Sequence, residues 1–136
     1  MTVVLDTGMV VASYDAGDRR HAAAQTWLLA SDENLVTTPL AVAEMDHLVA
    51  RDGGRPATER FWRDLDDGAW AVRWWADGLA ETLRIARRHP FLGLTDASLV
   101  ALAGLLRTNR IATFDPHFRS VPTPGGEAFV VLPADA

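Results

Sequence analysis

The chain has 136 residues, of which 49% are hydrophobic, no cysteine, and a formal net charge of −5. That length suits one domain, residues 1–136, able to bury roughly two thirds of its unfolded surface without staples. The missing cysteine excludes disulfides, thiolate zinc sites and cysteine nucleophiles, and the acidic balance excludes a broad basic surface for nucleic acid, leaving only local contacts.

The first stretch, VVLDTGMVVA (residues 3–12), reads as a buried strand that carries Asp6 in its middle and turn-permissive Gly8 two residues on. Asp18 is placed to cap a helix through RRHAAAQTWLLA, and Asn34 to Thr38 reads as a short strand. PLAVAEMDHLVARDGG follows, with proline at the first helical position and glycines past the end. PATERFWRDLDD predicts a further helix, so residues 39–68 accommodate a helical hairpin. AWAVRWW alternates with period 2 as a strand, placing Trp70 and Trp74 on one face and Trp75 on the other. Core packing accounts for most of these rings. DGLAETLRIARRH and TDASLVALAGLLRT repeat apolar residues at helical spacing, and RIATF and AFVVL close the chain as strands. Strands alternating with long helices predict a largely parallel sheet covered on both faces, a three-layer α/β/α sandwich.

Two acids stand where apolar residues are expected. A carboxylate in apolar surroundings costs several kcal/mol unless it is partnered or neutral, so Asp6 needs a reason. Asp115 ends a late strand and Pro116 follows it, a pattern that equally starts a turn. Open parallel sheets bind ligands beyond the carboxyl ends of their strands, where both acids emerge. Glu44 lies on a helix with Leu40 and Leu48 one turn to either side, an apolar stripe for an acid. Asp96 begins a helix with Leu99, Val100 and Ala103 on its face, a position that also suits the helix dipole. If all four converge, their repulsion demands a cation or bound protons. Oxygen donors without thiolates or a histidine pair at zinc spacing select Mg²⁺ or Mn²⁺, ions of phosphoryl chemistry.

The segments LDTG, AVAEMDHL, LTDASLVALA and ATFDPHF, in this order, resemble the PIN-domain ribonucleases, and among them the VapC-type toxins of bacterial type II toxin–antitoxin modules. The resemblance spans essentially the whole chain. It implies that Asp6, Glu44, Asp96 and Asp115 are the acidic quartet that holds the metal, and that Thr113 is the family's threonine two residues before the last acid. It implies hydrolysis of RNA phosphodiesters by water activated at Mg²⁺ or Mn²⁺, an antitoxin partner and a homodimer. Within that reading, Thr113 would orient the Asp115 carboxylate or the attacking water. Gly8 falls where the family often has serine or asparagine, and His117 where many members have an acidic or polar residue.

Several residues have plainer readings. His117 is expected as an exposed loop histidine and Ser98 as a helix-surface residue. Arg84, Arg87 and Arg88 recur at nearly one-turn spacing; a solvated helix face is the first reading and phosphate contact the second. No segment approaches the ~18 apolar residues of a membrane span, and no basic region precedes a long apolar run, so an untargeted cytoplasmic protein is expected. A haloacid-dehalogenase-like phosphatase would need a second acid at Gly8 and a lysine, whereas all 13 basic residues are arginine. Two further functions compete with the toxin reading: an RNA-processing PIN nuclease outside a toxin module, and a non-catalytic PIN-fold interaction module.

Overall fold

The computed structural model describes all residues from Met1 to Ala136. Five strands, β1 (Thr2–Leu5), β2 (Asn34–Thr37), β3 (Ala71–Val72), β4 (Arg110–Ala112) and β5 (Val130–Leu132), pair in parallel in the order β3-β2-β1-β4-β5. Five helices connect them: α1 (Thr7–Tyr14), α2 (His21–Ala30), α3 (Pro39–Asp66), α4 (Gly78–Arg88) and α5 (Gly93–Leu106). Helices α1, α2 and α3 pack together, as do α4 and α5, the two groups that right-handed crossovers in this strand order put on opposite faces of the sheet. Val3, Val4 and Leu5 are therefore fully buried at the centre, where helices cover the strand on both faces. The expected α/β/α sandwich is what forms. No single helix is long and apolar enough to cross a membrane.

Three local expectations are corrected. The opening strand stops at Leu5, and residues 7–14 are helical rather than extended. Met9, Val10, Val11 and Ala12 are all buried, so α1 shows no polar face, and a short apolar run carries no period that separates strand from helix. The strand over residues 69–75 shrinks to Ala71–Val72. Beyond it the chain turns and the rings of Trp74 and Trp75 come together, centroids 5.2 Å apart, instead of facing opposite sides. Trp70 alone is buried there, stacked on Phe61 at 6.2 Å. Asp18 does not cap α2; its side chain accepts from the N–H of Arg20, and the helix starts at His21 without a side-chain cap.

The hairpin within residues 39–68 does form. Gly54, with φ at +69°, breaks α3 in a backbone region that side chains disfavour, and Pro56 restarts it. Trp62 Nε1 donates to Asp46 Oδ1 at 2.6 Å, although 16 residues separate them. A straight helix would hold them about 24 Å apart, so the halves fold back on each other. Thr38, the last residue of the expected second strand, instead accepts from the N–H of Ala41 and caps α3.

Candidate active site

The strand order reverses between β1 and β4: β2 and β3 extend the sheet one way from β1, and β5 extends it the other way from β4. Helices on opposite faces diverge at that point and leave a crevice at the carboxyl ends of the two strands. Asp6 follows β1 directly, and its N–H donates to Ala112 of β4 at 3.0 Å. Its Oδ1 accepts from the N–H of Thr7 at 2.8 Å, at the start of α1, and its Oδ2 accepts from the Thr113 hydroxyl at 2.6 Å. The same hydroxyl accepts from the N–H of Asp115 at 2.9 Å. Thr113 thus orients the Asp6 carboxylate and the Asp115 backbone rather than the Asp115 carboxylate. Asp115 also accepts from the N–H of His117 at 2.9 Å and caps the 3-10 turn Pro116–Ser120, so its turn role and its place at the crevice coincide.

Asp96 reaches the crevice from the first turn of α5. Gly93, with φ at +73°, reverses the chain out of the 3-10 turn Pro90–Leu92 and sets the direction in which α5 begins. Ser98 is not on the surface as expected. It is fully buried, donates to Thr95 O at 2.6 Å and shares a 2.8 Å hydrogen bond with Thr38, the cap of α3. This contact ties the helix that carries Asp96 to the one that carries Glu44. The core stripe of α3 is Ala41, Met45 and Val49; Glu44 lies on the neighbouring stripe and is exposed.

Two of the acids, Asp6 and Asp96, are shifted by burial and by the charges of their acidic neighbours. Burial pushes the Asp6 carboxyl up to about 6 against the hydrogen bonds from Thr113 and Thr7, with the charges of Asp115 and Glu44 adding to the rise. The Asp96 carboxyl rises to about 7 through burial and then through the charges of Asp6, Asp115 and Glu44. Carboxyls raised in this way stand ready for a cation. The tightest grouping of ligand atoms, all within 4.8 Å of one another, comes from Asp96, Asp115 and His117, with Asp6 buried nearby. One imidazole among carboxylate oxygens, with no thiolate, suits a hard divalent ion such as Mg²⁺ or Mn²⁺.

His117 is exposed, as expected of a loop residue, yet its Nδ1 stands 3.4 Å from Asp115 Oδ1. Its position two residues after Asp115 was the only signal for this placement. Nothing in the sequence pointed to Thr38 and Ser98 as partners, because their hydrogen bond joins residues 60 apart. Gly8 lies in α1 with open space beside it, so no side chain substitutes there for the serine or asparagine common in the family.

A parallel sheet in this order, with Asp6, Asp96 and Asp115 beside its switch point and the charge of Glu44 felt there, defines an α/β protein with an acidic centre that could hold a cation, of the kind that serves phosphoryl chemistry. The chain belongs to the PIN domain family, whose model matches residues 3–124. It is 36% identical over 137 residues to Ribonuclease VapC26 of Mycobacterium tuberculosis, covering 96% of this chain and 100% of that one. It is 29% identical over 134 residues to Ribonuclease VapC29 of the same species, covering 98% of each. Two crystal structures share the fold. One is Mycobacterium tuberculosis VapC20, a sarcin-ricin loop cleaving toxin, with a TM-score of 0.76, 22% identity and coverage of 83% of this chain and 89% of that one. The other is VapBC2 of Rickettsia felis bound to a DNA fragment from its promoter, with a TM-score of 0.62, 15% identity and coverage of 96% and 97%.

Proposed function

We propose that this protein is a divalent-metal-dependent endoribonuclease that cuts single-stranded or looped RNA, and that it is the toxin of a toxin–antitoxin pair. The observation that carries the reading is the convergence of Asp6, Glu44, Asp96 and Asp115 on one crevice: the charges of Asp115 and Glu44 raise the carboxyls of both Asp6 and Asp96, and Asp6 adds to the rise at Asp96. The relatives at 36% and 29% identity are VapC ribonucleases, which supports the same activity, and the structural neighbours are a VapC toxin and VapBC2, which supports the toxin assignment.

Asp96, Asp115 and Asp6 would hold the ion, with Glu44 as a further ligand or as the group that positions the attacking water. A bound Mg²⁺ or Mn²⁺ supplies Lewis acidity, lowering the pKa of water and neutralising charge that develops on the phosphate. Thr113 keeps Asp6 ionised and aimed by donating to Oδ2. Unpaired RNA is the fitting substrate because a loose strand brings a phosphate to a recessed site, which a rigid duplex does not. The whole activity resides in the one unit of residues 1–136, acting in the cytoplasm. The family resemblance favours a homodimer.

Incubation of the purified protein with total RNA and Mg²⁺ or Mn²⁺, followed by mapping of the new RNA ends, tests the reading. Discrete ends are expected from wild type and none from Asp6→Asn or in excess chelator. Equal cleavage by wild type and Asp6→Asn would overturn it.

A further inference from the structure

Aromatic rings lead away from the acidic crevice. The His117 imidazole, beside Asp115, meets the ring of Phe91 edge-on with centroids 5.5 Å apart and planes at 78°. Phe91 in turn meets His89 at 6.1 Å and 74°. Phe91 sits in the short turn Pro90–Leu92 that leads into the helix of Asp96, and it is 50% exposed while its neighbour Leu92 fills the core at 7%. The turn is therefore anchored by Leu92, and the packing of the fold does not require a phenyl ring at position 91.

Past His89 the surface changes character. A cleft of about 800 Å³ between α4, α5 and the segment 122–126 is lined by Arg84, Arg88 and His89, with Glu81 as its one acid. Neither arginine is engaged in an ion pair, in a protein whose paired arginines are Arg51, Arg110 and Arg119. Moving outward from the crevice, the protein thus presents a cation-ready centre, an exposed ring between two imidazoles, and free guanidinium groups. A single RNA strand offers the complementary series of scissile phosphate, unstacked base and next phosphates. Bases stack on aromatic rings whatever their identity, and arginines hold the backbone. The ring's aromatic partners are imidazoles and the surface beyond them leads to arginines, a setting that suits a nucleotide better than an apolar peptide side chain.

The geometry points to Phe91 as a base-stacking platform that holds one unpaired nucleobase next to the scissile phosphate, with Arg84 and Arg88 gripping the phosphates that follow. This rests on the ribonuclease reading above. It makes Phe91 a substrate-binding residue, acting on the affinity for RNA rather than on the bond-breaking step.

The test uses an RNA oligonucleotide spanning a mapped cleavage site and two copies made abasic on either side of the cut. Cleavage is measured with Mn²⁺, and binding by fluorescence anisotropy with Ca²⁺ in its place. Phe91→Ala should raise KM and the dissociation constant about tenfold, within the range one stacked base contributes, while kcat stays within about twofold. Phe91→Trp should restore both constants. One abasic substrate should weaken wild-type binding to the same degree and cost Phe91→Ala nothing further. Arg88→Ala should reduce the slope of log affinity against log salt by about 0.7. Unchanged KM and binding in Phe91→Ala, losses that multiply when the variant meets either abasic RNA, or an effect confined to a protein partner would overturn the platform; an unchanged salt slope would remove the arginine cleft from it. The binding arm stands apart from catalysis. Wild type that binds RNA through Phe91 but never cuts it defeats the nuclease reading and leaves the platform standing, whereas absence of RNA binding defeats both.

Discussion

Thr113 donates its hydroxyl proton to Asp6 Oδ2 at 2.6 Å, joining two residues 107 apart in the chain at the seam between β1 and β4. Because the hydroxyl also accepts from the Asp115 N–H, a single side chain fixes two of the four acids. Thr113→Val removes both contacts in a buried setting and should cost about 1–3 kcal/mol of stability. The Thr113 hydrogen bond holds the Asp6 carboxyl down, so its loss should move the acid limb of the pH–rate profile upward and lower kcat at neutral pH at least tenfold. Thr113→Ser should retain most of the activity. Thermal melts and pH profiles of the two variants check this, and an unshifted acid limb in Thr113→Val would count against the role.

The raised carboxyls make a signed prediction for the metal-free protein. An unfolded chain releases the Asp6 proton near 3.8, whereas the folded protein holds it to about 6 and the Asp96 proton to about 7. Between those values the folded state binds more protons, so stability falls as pH rises from about 3.8 to 7 and levels off above. Asp6 alone contributes roughly 3 kcal/mol to that fall. Glu33, paired with Arg110, works in the opposite sense, but its contribution is lost only as pH drops below the ordinary glutamate range. Urea denaturation in chelator across this window should show the decline, and Asp6→Asn should flatten it.

Metal should reverse that trend. An ion bound only by the folded state adds RT ln(1 + [L]/Kd), about 1.4 kcal/mol at ten times Kd. Mg²⁺ or Mn²⁺ at pH 7.5 should therefore raise the Tm of wild type and raise that of Asp96→Asn and Asp6→Asn much less. In chelator at the same pH, Asp6→Asn should melt no lower than wild type, because one source of repulsion is gone. A variant that melts well below wild type in chelator, with no metal-induced shift in wild type, would identify Asp6 as a purely structural group.

Ser98 should matter without touching substrate. Ser98→Ala breaks its hydrogen bond to Thr38, a neutral buried contact worth about 1 kcal/mol. Loosening the link between α3 and α5 should also weaken metal affinity, because Glu44 and Asp96 ride on those helices. Isothermal titration with Mn²⁺ beside a thermal melt separates the two effects, and unchanged metal affinity would confine Ser98 to stability.

Expression of the chain alone should arrest growth, and a small protein encoded beside it should relieve the arrest. Plating assays of wild type and Asp96→Asn measure this; identical growth of the two strains would favour an RNA-processing or binding role over a toxin.

The alternation of strands and helices was readable from the sequence because long amphipathic stretches and their stop signals are local. The acids were readable for a different reason: Asp6 breaks an apolar run, and such a break needs a cause. Local pattern failed where burial was complete or strands were very short. The apolar run after Asp6 became α1, whose buried Met9, Val10, Val11 and Ala12 leave no polar face to mark a helical period, and the tryptophan strand lost all but Ala71 and Val72 to a turn. Only the tertiary structure decided that Thr113 serves Asp6, that Ser98 is buried against Thr38, that His117 stands beside Asp115, and that Phe91 meets the His117 ring. Each of these contacts joins segments far apart in the chain or depends on where a loop comes to rest. Such distances are set by the strand order and the helix packing, which residue spacing along a chain does not encode.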